Sequence, residues 1–366
     1  MLQDYIVKFA AGDQGKLDLF DLVKDYYNHY MAVNFKGTAE FSKKYSLDEK
    51  EKILNGALLK EIGALANIDA EVLKKNSSVF ASNPLLQWAT FAVVGMVTDV
   101  ILPDAIIKST GYYNDVRVIG YGDSASWEIT PRDLFVVTKA SKGKRLGSLQ
   151  KQYQGQVTLV PEDHLVSVYV DLYRVLAGLE SLGAFLVKVA RSIETQMSLD
   201  IYTAFDTAMK ALPSSGNTQL KYSGYSEAVA VSAAQKVTAW NGGKPAVFLG
   251  TKAALSHILP ADANYRFELN SDYVKVGYIR DFKGYEVIEL QQVADYTTPF
   301  GLALKDDVIY VVSPSSDKLI RTVIGGDMIS YTTTEYSYAN LIQTGTMRKA
   351  WATAVATSSI AAIITL

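Results

Sequence analysis

The amino-acid sequence predicts an α+β protein, and three patterns along its 366 residues support that prediction. An apolar stripe at helical spacing runs through residues 167–212, a charged and glycine-rich stretch separates strand-like segments within 113–158, and helix and strand patterns alternate through 220–340. The length allows about two to three compact units. With 49% hydrophobic and 20% charged residues, the composition excludes intrinsic disorder.

The composition also disfavours several classes of function. Lys and Arg total 36 and Asp and Glu total 38, so the formal charge is −2, whereas a protein that binds nucleic-acid phosphates tightly is strongly basic. The lack of cysteine excludes disulfides, thiolate metal sites and a cysteine nucleophile. The three histidines, His29, His164 and His257, are too few for a histidine-rich metal centre. We therefore predict no catalytic residue, no cofactor and no metal site.

Residues 1–83 are predicted to form an N-terminal helical arm. Ser46 and Glu49 have the spacing of a capping box, in which the serine oxygen accepts from the third helical amide and the glutamate reaches back to the cap amide. The helix that follows carries apolar residues at helical spacing: Ile53, Leu54, Leu58, Ile62 and Leu65. Because the segment lacks the pattern of a closed domain, we expect helices joined by short loops.

Two stretches are apolar enough to raise the question of a membrane segment: Leu85–Val97 and Trp351–Leu366. Both are shorter than the ~20 apolar residues that a membrane-spanning helix needs. The C-terminal stretch is predicted to be a buried strand, with a tail anchor as the alternative. We accordingly expect no membrane partner.

The segment 113–158 is predicted to form an extended hairpin loop. Strand patterns at Asp115–Ile119, Trp127–Ile129 and Gln156–Val160 enclose a stretch that is too charged and glycine-rich to bury itself. Five basic residues lie in that stretch with no acidic residue among them: Lys139, Lys142, Lys144, Arg145 and Lys151. A solvated tip or a surface for a charged partner is favoured over nucleic-acid binding, because no stacking aromatic interrupts the basic run.

The stripe through residues 167–212 predicts one spine helix of about 40 residues, roughly 60 Å long. Its apolar side chains step by three or four positions, and Pro213 ends the pattern. Five residues in its first half are predicted to pack on the rest of the molecule: Leu179, Leu182, Leu186, Val189 and Ile193.

Two short motifs contain residues of the types found in cofactor-binding or catalytic sites. The run Gly120–Ala125 fits a dinucleotide-binding glycine pattern, but strand-like residues follow it where a helix N-terminus is needed, so we predict a hairpin bend. The triplet Glu162, Asp163 and His164 is the one dense group of titratable residues. We interpret it as the acidic start of the spine helix, and a soluble enzyme that uses the triplet stays an alternative.

The order of these parts resembles the major capsid proteins of tailed bacteriophages, which share a Hong-Kong-type fold with encapsulins. The passage Val157–Phe205 looks like the family's transition from loop strand to spine helix, and Pro245–Ile258 and Gly284–Leu290 look like its axial-domain elements. The resemblance implies an N-terminal arm (1–83), a peripheral domain (84–112, 159–219 and 341–366), an extended loop (113–158) and an axial domain (220–340).

The same resemblance implies a function. The chain is expected to be a major capsid protein that assembles with itself, as hexamers and pentamers, into an icosahedral shell around a double-stranded DNA genome. The basic hairpin tip would then contact a neighbouring subunit. Expected partners are portal and scaffold proteins and weakly contacted DNA, in the virion and, during assembly, in the host cytoplasm. An encapsulin-like compartment with a protein cargo is the alternative.

Overall fold

The computed structural model describes residues 4–7, 15–36, 45–69, 72, 83–129, 155–171, 180–212, 219–259, 275–296, 298–314, 317–332 and 342–366. It is an α+β fold, as predicted. The helices in these ranges are α1 (Leu19–Met31, continued by the π-helical turn Ala32–Lys36), α2 (Leu47–Ala66), α3 (Pro84–Thr110), α4 (Leu182–Lys210), α5 (Glu227–Trp240) and α6 (Lys252–Leu255).

Sixteen strands lie in the same ranges. They are β1 (Asp4–Val7), β2 (Gly15–Asp18), β3 (Asn114–Ile119), β4 (Ala125–Ile129), β5 (Gly155–Leu159), β6 (Glu162–Asp171), β7 (Lys221–Ser223), β8 (Val247–Gly250), β9 (Asp281–Phe282), β10 (Tyr285–Glu289), β11 (Ala294–Asp295), β12 (Gly301–Leu302), β13 (Val308–Val312), β14 (Ile320–Thr332), β15 (Ile342–Val355) and β16 (Ala362–Thr365). They form one six-stranded, one four-stranded and three two-stranded sheets.

Side chains of the flanking residues begin the longer helices. Ser46 and Glu49 form the predicted capping box at α2, since each accepts a hydrogen bond from the other's backbone amide. Ser181 caps α4 by accepting from the amide of Ala184, and Ser226 caps α5 in the same way. Such caps satisfy amides that have no partner inside the helix.

The four-stranded sheet has the order β3-β14-β15-β6 and lies on α3 and α4. Strand β14 is parallel to β3 and antiparallel to β15, which in turn is antiparallel to β6. The inner face of the sheet contributes buried side chains to the main core: Ile320, Ile324, Met328, Met347 and Trp351. Helices α1 and α2 contribute to the same core from the other side of α3 and α4.

The six-stranded sheet has the order β7-β16-β13-β8-β10-β9 and is buried on both faces at its centre. Alternate residues of β13 show this directly. Ile309 and Val311 join a core with α5 and α6, whereas Val308, Tyr310 and Val312 join the main core that contains α4. A strand whose two faces are both covered reads as a continuous apolar run, which explains the sequence VIYVV.

The spine helix is shorter than predicted. The prediction started it at residue 167, but residues 162–171 form strand β6 and helix α4 begins at Leu182, while 172–179 lie outside the described ranges. All ten residues of β6 pair with β15, from Ile342↔Asp171 to Trp351↔Glu162. This ladder of hydrogen bonds with a segment about 180 residues away overrides the local helical spacing.

Three further assignments need correction. Strand β14 was assigned to the axial domain but pairs with β3 and β15, and β16 was assigned to the peripheral domain but pairs with β7 and β13. Helices α1 and α2, predicted as a separate arm, share the main core with α3 and α4. In each case, the apolar face of the element is buried by a partner that is distant in sequence, and local patterns do not reveal that partner.

Helix α3 is longer than the apolar stretch suggested, since it continues through Pro103 to Thr110. It is the one helix in the described ranges that is long and apolar enough to cross a membrane. However, 56% of its apolar stretch is buried inside the protein. Its buried residues include Leu86, Phe91 and Leu102, which pack in the main core. This packing is typical of a core helix of a globular unit.

Candidate assembly surfaces

The first half of α4 packs against the rest of the molecule. Leu182, Leu186, Val189 and Ile193 are all buried in the main core, and Leu179 lies outside the described residues. The N-terminus of the helix is fixed by Asn55 on α2, whose side-chain oxygen accepts from the amide of Gly183 at 2.8 Å. The helix is therefore held along its length and at its start.

A second contact fixes α1 to the middle of α4. The hydroxyl of Tyr27 donates to the carboxylate of Glu194. Burial, followed by the negative charge of Glu194, raises the pKa of Tyr27 well above its usual value, so the tyrosine stays protonated and keeps donating. Helices α1 and α2 are thus joined to α3 and α4, which lie under the four-stranded sheet.

The predicted hairpin is present at its base. Strands β4 and β5 pair antiparallel, from Ala125↔Leu159 to Ile129↔Gly155, and the turn before β4 is the predicted bend, with Gly122 at φ 83°. Strand β3, which the prediction placed in the same hairpin segment, pairs instead with β14. The base lies on the outer face of the four-stranded sheet, where Ala125, Trp127 and Val323 form a small buried cluster.

A network of charges holds the hairpin base. The indole of Trp127 donates to Asp115 at 2.7 Å, and the guanidinium of Arg117 lies 4.6 Å from the centre of the Trp127 ring. Arg321 donates to the same carboxylate of Asp115 at 3.1 Å and to Asp317 at 2.5 Å. Because Trp127 and Arg321 are buried and Asp115 and Asp317 are partly buried, their contacts position the base of the hairpin with one orientation, whereas Arg117 is exposed.

The predicted contact residues of the hairpin tip lie outside the described residues: Lys139, Lys142, Lys144, Arg145 and Lys151. Their role in contacting a neighbouring subunit stays a prediction. The structure describes the paired strands β4 and β5 on either side of them in sequence.

Next to the hairpin base, the outer face of the four-stranded sheet is exposed. We call the cluster of Tyr121, Leu165, Tyr331, Arg348 and Asp163 the bare sheet face. Its three large side chains are 69%, 65% and 53% exposed, respectively. Arg348 lies opposite Leu165 across the β15–β6 pair and forms an ion pair with Asp163. The hydrogen bond from Arg348 lowers the pKa of Asp163, so the pair stays charged.

Sequence analysis did not identify the bare sheet face, because it interpreted Glu162, Asp163 and His164 as the start of a helix and not as part of a strand. A signal was present: in a strand over 162–171, Leu165 falls on the same face as Asp163 and Ser167. Leu165 thus lies between polar residues on a solvent-facing strand face. Tyrosines suit contact surfaces because the ring packs while the hydroxyl stays hydrated.

The titratable triplet does not converge on one site. His164 faces inward, where its ring stacks on Trp351 at 3.5 Å and its Nε2 lies 3.9 Å from Asp200 of α4. Asp163 points to the opposite face of the sheet, toward Arg348. Strand alternation separates neighbouring residues in this way, so the interpretation of the triplet as a helix start was wrong. The geometry gives no support to an acid–base pair within the triplet.

A buried ion pair supports the bare sheet face from below. Lys349 on β15 donates to Asp99 of α3 at 2.6 Å and to the backbone carbonyl of Gly326 at 2.6 Å. Asp99 also accepts from the amide of Met328 at 2.5 Å. These bonds fix the irregular part of β14 between Gly325 and Ile329, where the pairing register shifts. No sequence pattern singled out either partner, because they are 250 residues apart.

No family model matches the sequence, and no curated protein matches it. Several solved capsid structures align with this chain at low sequence identity. The capsid of a native GTA particle aligns with a TM-score of 0.49 at 12% identity, covering 70% of this chain and 89% of that chain. The mature capsid of bacteriophage PhiM1 aligns at 0.45 and 11% identity, covering 69% and 85%. A virus-like particle from Pyrococcus furiosus aligns at 0.41 and 12% identity, covering 72% and 95%.

Proposed function

We propose that this chain is a structural subunit of a protein shell. The observation that carries the proposal is the bare sheet face beside the hairpin base, whereas the six-stranded sheet is covered on both faces at its centre. An exposed cluster of Tyr121, Leu165 and Tyr331 is costly in water and becomes favourable when another copy covers it. The hydrogen bond between Trp127 and Asp115 holds the base of the hairpin, and we propose that the basic residues beyond it contact a neighbouring subunit.

The more specific proposal is a major capsid protein around a double-stranded DNA genome. The order of elements supports it: hairpin base, long helix α4, a mixed sheet and a returning C-terminal strand follow each other as in the phage family that the sequence resembles. A formal charge of −2 fits a container that contacts its genome weakly. We propose no enzymatic activity, no cofactor, and portal and scaffold proteins as additional partners in the virion and in the host cytoplasm.

An encapsulin-like compartment is the second candidate, and it shares the same surfaces. The contents of the particle separate the two. Purified particles should be tested for nuclease-protected DNA and for a co-purifying protein cargo. Protected DNA of uniform length supports the capsid, whereas a protein cargo without DNA supports the compartment.

The shell itself is tested by size and shape. Analytical ultracentrifugation and negative-stain microscopy at near-physiological salt should show megadalton particles or capsomer rings, with a scaffold protein added where needed. A 40.1 kDa monomer under all of these conditions would overturn the proposal.

The hairpin tip provides a sharper test, because it separates folding from assembly. Replacing Lys142, Lys144 and Arg145 together by Glu should leave the melting temperature nearly unchanged, since exposed charges contribute ~1 kcal/mol or less each. Assembly should fail, and 1 M salt should partly restore it, because screening then acts within about 3 Å. Lys52→Glu, an exposed change on α2, is the control. Normal shells from the triple variant at low salt would show that the tip meets no acidic partner.

A further inference from the structure

The irregular part of β14 is a bulge that is larger than usual. Between the pairs Gly325↔Ala350 and Ile329↔Arg348, three residues of β14 face the single residue Lys349 of β15. A common bulge adds one extra residue to one strand, whereas this one adds two. Bulged residues lose their partners in the strand ladder, so other bonds must hold this segment in one shape.

Two glycines of this region lie directly against the two ends of the hairpin base. A Cβ atom on Gly325 would lie 2.6 Å from Cγ of Pro161, which follows β5. A Cβ atom on Gly326 would lie 3.1 Å from Cδ2 of Tyr121, which precedes β4, and Gly326 has φ 61°, a conformation that favours glycine. We call Gly325 and Gly326 the glycine seat, because a side chain at either position would displace the residue that rests on it.

The buried ion pair holds the bulge from the core side. The ammonium group of Lys349 donates to the carbonyl of Gly326, and one carboxylate oxygen of Asp99 accepts from Lys349. The other oxygen of Asp99 accepts from the amide of Met328. The pair therefore bonds to the backbone at the first and the third residue of the bulge. The side chains of Lys349 and Asp99 are only 3% and 15% exposed, so water competes little for these bonds.

Stability alone is a weak explanation for such a pair. Replacing a buried ion pair by apolar residues of similar volume is often neutral or stabilising, because each charge loses its hydration on burial. Apolar side chains cannot bond to the carbonyl of Gly326 or to the amide of Met328. The shape of the bulge is thus what Asp99 and Lys349 supply and an apolar pair would not.

We propose that Asp99 and Lys349 are positioning residues for assembly, which hold the glycine seat so that the hairpin base and Tyr121 keep one place on the outer face of the sheet. The inference rests on the proposed shell function and deepens it, because it names what fixes the hairpin relative to the bare sheet face. Both residues act through the backbone of β14 and touch no other subunit themselves.

The first test replaces the pair by apolar residues, Asp99→Leu together with Lys349→Met. We expect a nearly unchanged melting temperature, because the volumes are similar and no charge is left unpaired. Amide hydrogen exchange of β4 and β5 in the dissociated subunit should become at least tenfold faster, while α4 and β13 stay as protected as before. Equal acceleration in α4 and β13 would indicate a general loss of stability and would contradict a positioning role.

A second variant disturbs the glycine seat and leaves the ion pair in place. Gly326→Ala puts a methyl group against Tyr121, and it should give the same faster exchange of β4 and β5. Gly284→Ala is the matched control, because Gly284 also has a positive φ, 83°, but no atom lies within 4 Å of an added Cβ. Faster exchange in Gly326→Ala but not in the apolar pair variant would overturn the role of Asp99 and Lys349.

Assembly separates this inference from the shell function. Sedimentation should show at least tenfold fewer shells from the apolar pair variant and from Gly326→Ala than from the unchanged protein or Gly284→Ala. Shells in normal yield from the apolar pair variant would overturn the positioning role and leave the shell function intact. Where the unchanged protein forms no shells, the shell function fails, and hydrogen exchange of β4 and β5 in the subunit still decides whether the pair holds the hairpin base.

Discussion

The two large sheets of this molecule differ in how much of each the chain itself covers. The six-stranded sheet has α5 and α6 on one face and α4 on the other, so β8 and β13 are buried throughout. The four-stranded sheet has helices on its inner face, while its outer face carries the base of the β4–β5 hairpin and is otherwise exposed. We propose that the exposed outer face is where contacts with other copies begin.

We expect the largest effect from a substitution in α4, the helix that covers one face of the six-stranded sheet. Leu186→Asp places an unpaired carboxylate at a position with no solvent exposure in the first half of α4. The cost is several kcal/mol against a typical total stability of about 5–15 kcal/mol, so we expect insoluble protein. Expression and solubility are the measurement, and Thr203→Asp on the exposed side of the same helix is the control. A soluble Leu186→Asp variant that assembles would mean that α4 is not the shared support of both sheets.

A smaller effect is expected where the chain covers only part of a sheet. Trp127→Ala removes the ring from the small cluster under the hairpin and the hydrogen bond to Asp115, at a cost of about 3 kcal/mol to the docked hairpin. Hydrogen exchange of β4 and β5 should accelerate while α4 and β13 stay protected. Trp88→Ala, at a half-exposed position on α3, should change neither region. Equal loss of protection in both sheets would show that the two regions unfold as one unit.

The smallest expected effect concerns pH. Burial, with a further contribution from Lys50, lowers the pKa of His29 on α1, and Asp25 opposes this only in part. A histidine whose pKa is lower in the folded state stabilises the fold while neutral, and that contribution is lost as pH falls from about 6.5 toward the folded-state pKa. The free energy of unfolding should therefore decrease between pH 7 and 5.5, and His29→Gln should reduce this slope. The exposed His257→Gln is the control, and a slope that His29→Gln leaves unchanged would contradict the assignment.

Local patterns predicted the elements whose stabilising partners are near in sequence. The capping box of Ser46 and Glu49 and the alternation of helices and strands in the described part of 220–340 were found as predicted. In each of these cases, the residues that decide the conformation lie within the element or directly beside it. The α+β class follows from such elements and needs no knowledge of their pairing.

Elements with distant partners were predicted less well. The apolar residues Leu165, Val166 and Val168 fit a helical stripe as readily as a strand, and only pairing with β15 decides for the strand. The candidate surfaces were likewise predictable only where a local sequence pattern marks them. The basic hairpin tip stood out as a run of charges, whereas the bare sheet face becomes visible only when β6, β14 and β15 are placed side by side.

The most direct test of the central claim is whether another copy covers the bare sheet face. Hydroxyl-radical footprinting with mass spectrometry can compare Tyr121, Leu165 and Tyr331 in purified particles and in dissociated subunits. We predict at least fivefold less modification of these residues in the particles, and no change at buried residues such as Tyr310. Equal modification in the two states would show that this face stays in contact with water after assembly, and would contradict the account of how the subunits meet.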